Sequence, residues 1–208
     1  MTRIILIRHG QTEWNRVERF RGRADVPLNE TGLRQAEATG VRVAAKWKPA
    51  AFYSSPLSRA VKTAEAIAGR FDDLAVQIHP GLADIDYGEW QGLSPDEVRT
   101  RWPGLLDTWY NAPHLVSIPG GETLSALRER AMKTVNELAV HYSSKAILLL
   151  GHTVINRIIL LGVLGLGNER FWRIKQDTCA INLFDVEDGD YTLVSLNDTC
   201  HLDSIPQK

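Results

Sequence analysis

Short apolar runs rich in β-branched and aromatic residues recur at 4–7, 51–53, 75–78, 146–150, 180–186 and 191–196. Each has strand length and is bounded by polar or glycine-containing stretches. Between the first four lie longer stretches whose apolar positions repeat at helical spacing. In TGLRQAEATGVRVAAKW, Leu33, Ala36, Gly40, Val41, Ala44 and Trp47 are expected to share one buried face. Ala60, Ala64, Ile67, Ala68 and Phe71 repeat the pattern, as do Leu124, Leu127, Ala131, Leu138 and Tyr142. In SPDEV, Ser94 reads as an N-cap, with Pro95 in the first helical position and Glu97 closing a capping box.

Strands alternating with helices imply βαβ crossovers. The expected fold is α/β, a three-layer α/β/α sandwich around a mostly parallel six-stranded sheet. The last two runs, separated only by EDGD, read as an antiparallel hairpin that gives the sheet an antiparallel edge strand. No repeat or low-complexity linker interrupts 1–208, so one domain is expected, with 93–121 as a cap-like insertion carrying Trp102 and Trp109.

Composition narrows this picture. A chain of 208 residues, 44% of them hydrophobic, can bury a sizeable core. The net charge of −1 gives no global reason to expect nucleic acid or an anionic membrane as partner, so any basic site is local. The longest apolar stretch, Ile158–Gly167, is too short to span a bilayer, and Ile4–Ile7 too short for a secretion signal. With Cys179 and Cys200 the only cysteines, reduced thiols in a cytoplasmic protein are the simplest expectation.

In open α/β sheets ligands bind beyond the carboxyl ends of the strands. The first strand is followed there by Arg8, His9 and Gly10, the second by SSPLSRA with Arg59, the third by LADIDYGEW and the fourth by Gly151, His152 and Thr153. One histidine after a strand is commonplace. Two on one rim with two arginines suit phosphoryl chemistry: arginine binds phosphate oxygens bidentately, and a neutral imidazole has a lone pair that can attack phosphorus. Arg59 also stands near a helix amino terminus, which favours an anion.

RHGQTEWN resembles the signature of the histidine phosphatase superfamily, which includes the cofactor-dependent phosphoglycerate mutases. DVPLNETGLRQAE, YSSPLSRAVKTAE, DYGEWQG and PGGET look like further blocks in the family's order, covering nearly the whole chain. The resemblance implies a phosphoglycerate mutase-like fold. It also implies that His9 is a nucleophile that becomes a phosphohistidine, and that Arg8, Asn15, Arg59 and His152 hold the phosphate. Asp84 stands where the family usually has a glutamate acid, four residues before the glycine of GEW, with Asp86 and Glu89 as fallbacks. GHT replaces the more usual serine, histidine, glycine, and Thr153 is expected to cap the following helix rather than bind phosphate.

No arginine- and tyrosine-bearing block of the mutase kind lies between Asp84 and His152, which favours a phosphatase. The tail blocks are similar to those of metal-independent phosphoserine phosphatases, a lineage that shades into broad-specificity and α-ribazole-type phosphatases. The expected activity is thus hydrolysis of small phosphorylated metabolites, phosphoserine being a candidate, with no metal or other cofactor. A phosphoglycerate mutase and a non-catalytic phosphate-binding module are the alternatives. Arg19, Arg21 and His201 are weaker candidates for substrate contacts, the alternative for each being a solvated surface side chain. No metal-ligand spacing links the histidines. The oligomeric state, a homodimer included, is left open.

Overall fold

The computed structural model describes residues 1–205. Its strands are β1 (Thr2–Arg8), β2 (Ala51–Ser54), β3 (Val76–Ile78), β4 (Ala146–Gly151), β5 (Ile181–Glu187) and β6 (Asp190–Asp198), in the order β3-β2-β4-β1-β5-β6. β1 to β4 pair in parallel, β5 runs against β1, and β6 completes the hairpin at the edge. The helices are α1 (Glu13–Arg16), α2 (Glu30–Lys46), α3 (Ser58–Ala68), α4 (Pro95–Arg101), α5 (Leu105–Asn111), α6 (Leu124–His141) and α7 (Thr153–Val163).

The apolar runs of β1 and β4 are continuous because both strands are covered on both faces. Ile4, Leu6, Ile147 and Leu149 point to one side, into a core shared with α6 and α7, while Ile5, Ile7, Leu148 and Leu150 point to the other, into a core with α2 and α3. Each such fully buried aliphatic side chain contributes roughly 1.5–3 kcal/mol. The three expected layers follow from this two-sided burial. α4 begins with the expected capping box, in which Ser94 accepts the Glu97 N–H and Glu97 the Ser94 N–H.

The expected face of α2 is corrected. Leu33, Val41 and Ala44 are exposed, and the buried face is Gly32, Gln35, Ala36, Thr39, Gly40 and Val43. Close approach and polar contacts outrank hydrophobicity here. A Cβ on Gly32 would sit 2.1 Å from the Gln11 carbonyl oxygen, and the Gln35 Oε1 accepts the Gln11 N–H at 2.9 Å. This helix therefore braces the loop that follows β1. No helix among the described residues is long and apolar enough to cross a membrane.

Candidate active site

The carboxyl ends of β1 and β4 lie side by side, Arg8 being paired in register with Gly151. The next residue of each strand is a histidine. The His9 N–H donates to the Gly151 carbonyl at 3.1 Å, and the imidazoles of His9 and His152 stand 4.9 Å apart, centroid to centroid. Gly10 is held between Thr63, whose Oγ1 takes its N–H at 3.1 Å, and Gly32, whose carbonyl oxygen a Cβ at Gly10 would meet at 2.5 Å. The glycine of RHG is thus demanded by the close approach of α2.

His9 is buried, with its Nδ1 2.6 Å from the Gly10 carbonyl. A carbonyl only accepts, so Nδ1 carries the proton and the Nε2 lone pair stays free. His152 Nε2 lies 2.7 Å from the Ser55 Oγ, which also accepts the Leu57 N–H at 3.4 Å. His152 Nδ1 is buried with no protein partner. Burial first, then repulsion from Arg59 and the other cations, holds both imidazoles well below the ordinary histidine range and keeps them neutral.

Arg8 and Arg59 approach from either side and are held by main-chain oxygens: Arg8 donates to Gln176, and Arg59 to Gly22 and Ala24, each at 2.7 Å. In each, Nε is buried without an acceptor. Burial pushes Arg8 down to about 9, helped by Arg21 and Arg157, and Arg59 down to about 10. Buried cations lacking carboxylate partners are costly, and an anion would relieve that cost.

Asp84 is buried, with its Oδ1 3.4 Å from the Ile155 N–H. Burial raises its pKa, against the opposing pull of Arg59 and Arg21. The fallback carboxylates are placed differently: Asp86 pairs with Arg23 at 3.3 Å, and Glu89 is exposed. Among the described residues no three His, Cys, Asp or Glu side chains converge as a metal cage.

Asp84 and Thr153, the latter next in the chain to the buried His152, line a cleft of about 330 Å³ whose walls also include Asn15, Arg19, Arg21 and Arg157. Asn15 Oδ1 is occupied by the N–H and hydroxyl of Thr12, both at 2.9 Å. Arg19 donates to the Gly92 carbonyl and to Glu97 near the rim, and Arg21 to the Trp14 carbonyl. Thr153 corrects the capping expectation: His152 is the N-cap of α7, and the Thr153 Oγ1 is buried without a partner.

His201 does not reach the cleft. Its Nε2 is 3.0 Å from the Thr39 Oγ1 on α2, because the turn after β6 (Cys200–Leu202) packs on that helix. Sequence reasoning missed Arg157 and the aromatic wall of Tyr87, Trp109, Tyr110, Phe171 and Trp172. An arginine within the apolar stretch GHTVINRIILL, five residues after His152, was the available signal.

Comparison with known proteins agrees with this geometry. The model of the histidine phosphatase superfamily, branch 1, matches residues 4–199. Phosphoserine phosphatase 1 of Hydrogenobacter thermophilus is 31% identical over 202 residues, 97% of this chain and 95% of that one. The metal-independent phosphoserine phosphatase of Arabidopsis thaliana is 30% identical over 207 residues, covering 99% and 85%. The structure of YhfR from Bacillus stearothermophilus superposes with a TM-score of 0.92 at 27% identity, covering 98% of this chain and 100% of that one.

Proposed function

Because this chain belongs to the histidine phosphatase superfamily, branch 1, and is a phosphatase, we propose that it hydrolyses small phosphorylated metabolites through a phosphohistidine at His9, without a metal. Phosphoserine is the first candidate, by analogy with the relative from Hydrogenobacter. The observation that carries the reading is the tautomer of His9: with Nδ1–H committed to the Gly10 carbonyl, Nε2 is the nucleophile.

The chemistry follows from the side chains. Arg8 and Arg59 Nε, His152 Nδ1 and Thr153 Oγ1 are buried with no protein partner. They would neutralise the charge on the equatorial oxygens of a transferring phosphoryl group. Asn15 completes the cradle. Nε2 of His9 forms the N–P bond as the P–O bond to the leaving group breaks, and the carboxylic acid of Asp84 gives its proton to the departing oxygen. The Asp84 carboxylate then takes a proton from water, whose oxygen attacks phosphorus. The N–P bond breaks, inorganic phosphate leaves, and both side chains return to their starting state.

The test is hydrolysis of p-nitrophenyl phosphate in excess chelator, with acid quench of the reacting enzyme. The expected results are turnover unaffected by chelator, an acid-labile phosphoenzyme, and loss of both on His9→Ala. Activity that vanishes with the chelator, or a phosphoenzyme that persists in His9→Ala, would overturn the reading.

A further inference from the structure

Arg157 is the one cleft-lining arginine whose neighbours are chiefly rings. Its Cζ lies 5.1 Å from the ring centre of Phe171 and 5.0 Å from that of Trp172. Its Nε is buried without an acceptor, and no carboxylate forms an ion pair with it among the described residues. The two rings stand 80° apart and confine the guanidinium by cation–π contact, and an arginine confined in this way suits capture of a carboxylate.

Charge balance in the cleft points the same way. Arg8 and Arg59 match the two charges of a phosphate monoester. Of the arginines on the walls, Arg19 pairs with Glu97 and Arg21 has Asp84 as its first counter-charge, while Arg157 is in no ion pair among the described residues. Bound phosphate alone leaves the Arg157 guanidinium without a paired carboxylate. Arg157 stands on α7 one turn after Thr153, and both line the cleft together with the aromatic wall.

We propose that Arg157, held against the rings of Phe171 and Trp172, is a specificity-determining residue that binds a carboxylate on the leaving group, so that the preferred substrates are phosphomonoesters of hydroxy acids. The assignment rests on the phosphatase reading above and names its substrate class. Charge-assisted hydrogen bonds of this kind give about a tenfold or larger preference.

Four small alkyl monoesters separate the charges: phosphoserine carries a carboxylate and an ammonium, 3-phosphoglycerate a carboxylate alone, phosphoethanolamine an ammonium alone, and glycerol 3-phosphate neither. In the unaltered enzyme both carboxylate-bearing esters should show KM values about tenfold or more below their counterparts, a comparison that needs no variant. Arg157→Gln should erase most of that ratio, and Arg157→Lys should restore part of it. Turnover of all four without a carboxylate preference would overturn the subsite alone, as would an equal loss on all four in Arg157→Gln. No turnover of any ester would overturn the phosphatase reading, and the subsite with it.

Discussion

The carboxyl of Asp84 is tied to the backbone N–H of Ile155, Oδ1 to N at 3.4 Å. Ile155 lies in the first turn of the helix that His152 caps. This contact ties Asp84 to the first turn of α7, although 68 positions, the difference between their residue numbers, separate Asp84 from His152.

Asp84→Asn keeps the shape and the Ile155 contact but removes the proton. Hydrolysis of alkyl phosphates should fall about 10²–10⁴-fold, the usual worth of a general acid. p-Nitrophenyl phosphate, whose leaving group needs little protonation, should lose much less. Equal losses on the two substrates in steady-state assays would show that Asp84 is not the acid.

The pH profile should follow the opposite shifts of His9 and Asp84. His9 must be neutral to attack, and its lowered pKa extends activity below the ordinary imidazole value of 6.5. Asp84 must be protonated, and its raised pKa extends the acid form above 3.8. Activity on alkyl phosphates should peak on the acidic side and decline as pH rises through the Asp84 pKa. In Asp84→Asn that alkaline decline should disappear from a kcat/KM profile.

Stability should depend on the same imidazoles. His9 and His152 have folded pKa values depressed below 6.5, so at lower pH the unfolded chain binds protons that the folded chain does not. Their contribution is complete above 6.5 and is lost as pH falls from there toward the folded values. The melting temperature should drop between pH 7 and pH 5, and His152→Asn should flatten that drop. An unchanged slope in the variant would place the protons elsewhere.

Gly32→Ala tests the bracing of the nucleophile loop. The new Cβ would stand 2.1 Å from the Gln11 carbonyl oxygen, backbone that cannot rotate away. A loss of about 1–3 kcal/mol is expected from overpacking, with kcat/KM falling because Gly10 and His9 shift together. Calorimetry and steady-state kinetics on the same sample check both.

Much of this was legible in the sequence because it is local. Apolar runs ending in RHG and GHT mark the two central strands, whose carboxyl ends bring His9 and His152 together, and Asp84 was singled out only through the family resemblance. What was misread is tertiary. Nothing near Leu33 or Val41 signals that Gly32 must face inward to let the Gln11 backbone approach. His201 carries no local sign of its packing on Thr39, and Arg157 meets Phe171 and Trp172 only through folding.

The pairing of Arg8 with Gly151 makes the sheet a ruler. Neighbouring strands lie about 4.7–4.9 Å apart whatever their side chains, and the imidazoles one residue beyond that pair are 4.9 Å apart. Their separation is therefore inherited from main-chain hydrogen bonding rather than from any particular core residue. A core substitution that leaves the pairing of β1 with β4 intact should therefore leave the spacing of His9 and His152 unchanged.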